Sequence, residues 1–400
     1  MKNRNNPVHR VTKHCIIAIW FLAIAASNTN AQSPIPPGAQ LEKVAAGFTQ
    51  PEGPVWKDGV GLLFSDIAKS KIYVWTPADS AKPYLQPSDS SNGLTLDLQG
   101  RLILTQMLDR RVSRQETNGT ITPLVSTYNG KRFNSPNDVV VRSDGSIFFT
   151  DPDFNVPYGQ HKELTFQGIY RLSPTGSLQL LDSTLTLPNG ICFSPDEKKL
   201  YVNDSQKRII YVWDVVNDST ISNKTALYTI PTAGNADGMK TDTAGNIYCA
   251  GPTGVWIVSP AGAPLGKISM SETPSNCNWG DGDRNTLYIT AGKSLYRIRL
   301  STTGVKSPKV PKTGSYKLDE SFPNPCNPGT TIQFHVPVTG YLNLTIYDTV
   351  GREVKRLATG TYHPGDYTER WDASGVPSGV YFCRLTAASF SSTRKIVVLK

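Results

Sequence analysis

Four short stretches of the 400-residue chain carry side chains whose chemistry belongs together: PEGPVW (51–56), SPND (135–138), PNG (188–190) and ADG (236–238). Each leads into a strand-like apolar run and offers one oxygen-bearing side chain near its entrance: Glu52, Asn137, Asn189 and Asp237. Two carboxylates and two amide carbonyls make an all-oxygen donor set of charge −2. Hard divalent cations prefer such a set, Ca²⁺ above all, whereas zinc normally brings His or Cys. Beyond residue 31 the chain holds only His161, His335 and His363, which excludes a three-His site within residues 40–300. Each motif alone is also ordinary turn chemistry, needing no ligand. Their weight as a set comes from where they fall, in four different copies of one repeating unit.

That unit runs through residues 50–300. A turn with Gly or Asp leads into a short apolar strand, which usually ends in Ser, Thr, Ala or Asn, and a second strand follows. The first strands are GLLFSD (61–66), GRLILT (100–105), GSIFFTD (145–151), KKLYVND (198–204), GNIYCA (245–250) and NTLYIT (285–290). Their partners are KIYVW (71–75), RRVSR (110–114), GIYRL (168–172), RIIYVW (208–213), GVWIV (254–258) and SLYRI (294–298). Val, Ile, Tyr, Phe and Trp at alternating positions favour strands, and no long amphipathic helix interrupts them. Pairs recurring at roughly 40–60 residue intervals fit propeller blades, which bury their faces by stacking around a central channel. The expected fold is all-β, a six-bladed β-propeller over 40–300. A long sandwich or solenoid is the competing arrangement. In a propeller the ends of equivalent strands converge on the axis, so residues distant in sequence can meet there.

The ends of the chain differ from its middle. Lys2, Arg4, Arg10 and Lys13 precede the apolar run CIIAIWFLAIAA (15–26), and SNTNA closes on Ala31. This is the layout of a secretory signal peptide, 1–31, with a membrane anchor as the competing reading. No later run is long enough to cross a bilayer. Without the leader, 37 basic face 32 acidic residues, a scattered excess of +5 that gives nucleic acid no footing. Five cysteines remain, Cys192, Cys249, Cys277, Cys326 and Cys383, an odd and widely spaced set unlike a disulfide framework. Cys326 and Cys383 could pair within the last domain, which their spacing alone does not decide. No G-x-S-x-G elbow and no phosphate-binding or dinucleotide glycine motif is present.

Over residues 40–300 the chain resembles the gluconolactonase and senescence-marker-protein-like lactonases. The resemblance rests on PEGPVW, NGLTLDLQGRL (92–102), GKRFNSPNDVVVRSDGSIFFTDP (130–152), GIYRLSPTG (168–176), LPNGICFSPDEKKLYVNDS (187–205) and ADGMKTDTAGNIY (236–248). It implies a six-bladed propeller with one divalent metal, Ca²⁺ or else Zn²⁺, Mg²⁺ or Mn²⁺, held by Glu52, Asn137, Asn189 and Asp237. It further implies substrate contacts at Arg132, whose fork suits a hydroxyl or carboxylate, and at Asn276. The implied reaction is the opening of a sugar lactone, in which a cation counters the developing oxyanion and Asp237 serves as general base. Glu52 would mainly hold the cation, and Asp138 would bond backbone at the turn. Where relatives often carry a Glu-His pair, this chain has Gln106 and Met107, which leaves the substrate open. An aryl esterase or phosphotriesterase would share the four ligands, and a non-catalytic sugar-binding propeller is the third reading.

Residues 301–318 are rich in Ser, Thr, Lys, Pro and Gly and read as a linker. Residues 319–400 read as a small Ig-like β-sandwich. They resemble the C-terminal sorting domain of type IX secretion substrates through SFPNPCNPGTTIQF (321–334), IYDTVGREV (346–354), WDASGVPSGVYFCRL (371–385) and KIVVLK (395–400). This implies export through the periplasm to the cell surface or medium, with the type IX machinery as partner. A permanent adhesive or carbohydrate-binding module is the alternative.

Overall fold

The computed structural model describes residues 1, 33–154, 156, 160–217, 219–300, 316–337, 340–362, 365–387 and 390–400. The expected leader, Met1 apart, and the linker as far as residue 315 lie outside the described residues. Among the described residues no helix is long and apolar enough to cross a membrane.

Among the described residues between 41 and 299 the strands form six four-stranded antiparallel sheets and one two-stranded ribbon, Thr127–Tyr128 with Lys131–Arg132. The first blade runs from its innermost strand outward through Pro51–Lys57, Gly61–Asp66, Lys71–Thr76 and Asp79–Leu85. The innermost strands of blades two to six are Ser91–Leu96, Val139–Val141, Pro188–Phe193, Met239–Thr241 and Pro274–Gly280. These six pack against one another in cyclic order and close a ring. The last blade takes its outermost strand from the start of the domain: Leu41–Ala46 pairs with Ser294–Arg299. The two ends of the propeller segment thereby lock the ring shut.

Six apolar clusters hold it together, one between each pair of neighbouring blades. Between blades two and three, Ile103 and Val112 meet Phe133, Phe149 and Tyr170. Between blades six and one, Tyr288 and Leu295 meet Leu62, Phe64 and Trp75. Because a second strand is covered on both faces, Ile147–Asp151 is buried at every position. Each large apolar side chain so buried contributes about 1.5–3 kcal/mol. The strand pairs picked out by the sequence are the second and third strands of each blade. The stretch PEGPVW, expected as a loop at a strand's entrance, is itself the innermost strand, and Asn189 likewise lies inside Pro188–Phe193.

The C-terminal region is two sheets around one core. One holds Lys317–Leu318, Gly329–Val336 and Gly365–Asp372; the other holds Glu353–Tyr362, Gly340–Tyr347, Gly379–Ala387 and Phe390–Val398. Phe334, Leu344, Ile346, Trp371, Leu385 and Ile396 fill the space between them. The linker ends earlier than its composition suggests, because Lys317 and Leu318 already pair with His335 and Phe334. Cys326 and Cys383 are both buried free thiols and form no disulfide.

Candidate active site

The innermost strands are irregular at equivalent places. Register shifts fall at Glu52/Val55, Ser91/Leu94, Pro188/Ile191 and Pro274/Asn276. A bulge re-aims the side chain beside it, and here it falls at the start of the strand nearest the axis. Lining up the six strands places Glu52, Asn92, Asn137, Asn189, Asp237 and Asn276 at one level, one per blade.

Three of these positions, and the residue before a fourth, are held by a side chain of the preceding blade. Thr105 Oγ1 of blade two donates to the Asn137 carbonyl (2.6 Å), Thr150 Oγ1 of blade three to the Asn189 carbonyl (2.7 Å), and Asn203 Nδ2 of blade four to the Asp237 carbonyl (2.5 Å). Ser275 Oγ of blade six donates to the Pro51 carbonyl (2.7 Å). Thr105, Thr150 and Asn203 lie near the ends of second strands, which is why those strands close on Thr or Asn. Glycine follows the polar residue where the next blade presses in: a Cβ on Gly93 would lie 2.6 Å from the Asn137 carbonyl oxygen, and one on Gly190 2.5 Å from that of Asp237. Further out, Asp66, Asp151 and Asp204 each accept two backbone amides, in each case including at least one from the segment just before the blade's innermost strand.

Contacts join most of the level residues. Asn189 Nδ2 donates to Asp237 Oδ1 (2.8 Å), and Asn276 Nδ2 and the Gly53 amide donate to Glu52 Oε2 (3.1 and 2.9 Å). Both carboxylates are held above the usual carboxylate range. Burial pushes Glu52 up to about 7, with the charge of Asp138 adding to the rise. Burial likewise raises Asp237 well above the usual carboxylate range, and the charge of Glu52 adds. Asn189 Oδ1 is buried without a hydrogen-bond partner, as is Asn92 Oδ1. A buried oxygen left unpaired costs about 1–3 kcal/mol, and two buried like charges disfavour each other. A cation among them would relieve both costs, so this donor set fits a hard divalent ion. Among the described residues no three His, Cys, Asp or Glu side chains are grouped to hold a metal, so the amide oxygens would be needed.

Asn137 is 6% exposed, held through its backbone by Gly93, Thr105 and Thr150. No hydrogen bond among the described residues engages its side chain. Among the described residues Arg132 makes no hydrogen bond to this cluster: its guanidinium donates to Gln160 Oε1 (3.0 Å) and the Asp109 carbonyl (3.1 Å). Gln106 is buried and saturated, accepting from Arg111 and Ser113 and donating to Ser88 and Asp89. Met107 Sδ accepts from Asn92 Nδ2 (3.5 Å). Asp138 does more than bond the turn. Besides the Val139 amide it takes the Ile191 amide of blade four (3.3 Å) and Lys240 Nζ of blade five (3.5 Å). Sequence reasoning missed Asn92 and Lys240. Superposing the six blade repeats on one another would have exposed Asn92, as the polar residue before Gly93.

Residues 50–293 match the SMP-30/gluconolactonase/LRE-like region, and residues 320–399 match the secretion system C-terminal sorting domain. A gluconolactonase from Zymomonas mobilis subsp. mobilis is 33% identical over 293 residues, covering 66% of this chain and 82% of that protein. The pentonolactonase XacC of Haloferax volcanii is 25% identical over 279 residues, covering 63% of this chain and 91% of its own. The solved structure of a gluconolactonase from Xanthomonas campestris aligns with a TM-score of 0.63 at 31% identity, over 68% of this chain and 92% of that one.

Proposed function

The chain belongs to the SMP-30/gluconolactonase/LRE-like family, and from that premise we propose that it is a secreted, metal-dependent lactonase that hydrolyses a sugar lactone. Glu52, Asn137, Asn189 and Asp237 would hold one divalent cation, with Ca²⁺ the best match to an all-oxygen set. When bound, the cation supplies positive charge against the oxyanion that forms as the ester opens, an effect worth several kcal/mol of barrier. The protein's own part is positional and acid–base. Gly53 and Asn276 fix the Glu52 carboxylate, and Asn189 fixes one oxygen of Asp237. Asp237 takes the proton of the attacking water, and the buried surroundings keep competing water out. Arg132 and Asn276 serve as substrate contacts, Arg132 braced by Gln160 and the Asp109 carbonyl from two other segments. The C-terminal sorting domain supports delivery to the cell surface or medium by the type IX machinery.

One observation carries this reading: the buried Asp237 carboxylate, whose proton affinity burial and the Glu52 charge raise, is held by Asn189, whose own amide oxygen is buried with no partner. The test is hydrolysis of a panel of sugar lactones and aryl esters, with EDTA and after Ca²⁺ is restored, by wild type, Glu52→Gln and Asp237→Asn. Activity lost in EDTA and in both variants, with the β fold retained by circular dichroism, is expected. Wild-type rates in either variant refute the site. No metal-dependent turnover on any substrate favours a sugar-binding propeller.

A further inference from the structure

The Lys240–Asp138 pair is buried between the blades that carry three of the proposed ligands, yet the reaction as described has no use for it. Asp138 is 1% exposed and the Lys240 side chain 13% exposed. Asp138 belongs to blade three, where its Oδ1 accepts the Val139 amide (2.9 Å). Its Oδ2 crosses to the Ile191 amide of blade four (3.3 Å) and to Lys240 Nζ of blade five (3.5 Å). Lys240 Nζ also donates to the Met239 carbonyl (3.0 Å). One carboxylate therefore spans the three blades that carry Asn137, Asn189 and Asp237. Asp138 follows Asn137 directly and Lys240 comes three residues after Asp237, and the charge of Asp138 acts on both Glu52 and Asp237.

We propose that Lys240 and Asp138 are positioning residues that set the net charge of the cation site, trimming three buried carboxylates to a total of −2. Glu52, Asp138 and Asp237 alone would bring −3; Lys240 returns one unit and matches the charge of a single divalent ion. This inference rests on the cation reading given above. Charges in a buried site interact strongly over several ångströms, so each unit added or removed changes divalent affinity by roughly tenfold or more.

The sign of the effect separates charge-setting from simple bracing. Lys240→Met leaves −3 and should bind Ca²⁺ more tightly, by roughly tenfold or more; Asp138→Asn leaves −1 and should bind it more weakly by a similar factor. The double variant restores −2 and should fall within about threefold of wild type. Lys240→Gln, which still reaches Asp138 as a donor, should follow Lys240→Met and carries the comparison if that variant does not fold. The measurement is calorimetric titration of Ca²⁺ into the EDTA-stripped full chain. A brace alone predicts weaker binding in Lys240→Met and Asp138→Asn, and a Lys240→Gln protein like wild type; that pattern overturns the proposal, as does an affinity unchanged across the series. Absence of Ca²⁺ binding by wild type would instead remove the cation reading itself.

Discussion

Glu52→Gln tests the electrostatics of the site without any substrate. In the cation-free protein Glu52 is 5% exposed and its carboxyl rises from 4.5 to about 7, chiefly through burial. A folded value above the unfolded one means that the folded protein holds this proton more tightly than the open chain. The cost of ionising Glu52 is therefore absent below pH 4.5, grows between 4.5 and 7, and is fully present above 7. That rise corresponds to about 3 kcal/mol lost from folding at alkaline pH. Glutamine keeps an acceptor oxygen for the Gly53 amide and Asn276 while removing the charge. In EDTA at about pH 8 the variant should melt above wild type by roughly 6–12 °C, and near pH 4.5 the two should melt together. Excess Ca²⁺ should raise the wild-type melting temperature and leave the variant's nearly unmoved. Thermal melts across this pH range, with EDTA or Ca²⁺, read all three. A variant that melts below wild type in EDTA at pH 8, or that gains as much from Ca²⁺, refutes the reasoning.

Gly190→Ala puts a methyl 2.5 Å from the Asp237 carbonyl oxygen and 2.9 Å from the Met239 amide. It should cost about 1–3 kcal/mol in urea unfolding and weaken Ca²⁺ binding, because the strand carrying Asp237 must retreat. Thr150→Val removes the donor to the Asn189 carbonyl and leaves that buried oxygen unpaired, at a cost of about 1–3 kcal/mol; Thr150→Ser should recover most of it. Mass spectrometry of the secreted protein should find a terminus upstream of the sorting domain, and an intact Lys400 terminus would count against a sorting role.

The strands legible in the sequence are those with a physical reason to be. Runs such as IFFTD and GIYRL are covered on both faces, so they are apolar, β-branched or aromatic throughout. The outermost strands, such as Asp79–Leu85 and Thr220–Thr229, are half exposed and carry the polar composition of loops. The innermost strands hide for another reason. Two are only three residues long, and PEGPVW bears the proline and glycine that normally end a strand. Leu41–Ala46 gives no local sign that it belongs to the last blade, because its partner lies some 250 residues later in the chain. Lys240 escaped notice for the same reason: its acidic partner is 102 residues away, and nothing in ADGMK hints at it.

The repeat itself holds more of the site than any single motif does. At the start of each innermost strand a polar residue is followed by a second position: Gly53, Gly93, Asp138, Gly190, Gly238 and Cys277. Glycine is the expected occupant, since at Gly93 and Gly190 the neighbouring blade's backbone leaves no room for a side chain. Asp138 breaks that rule with a charged group. A buried carboxylate is tolerated only where hydrogen bonds and an opposite charge meet it, and here they come from the Val139 and Ile191 amides and from Lys240. The local rule fails where three of the four blades that carry the proposed ligands are tied together, as expected where a functional constraint outweighs backbone economy.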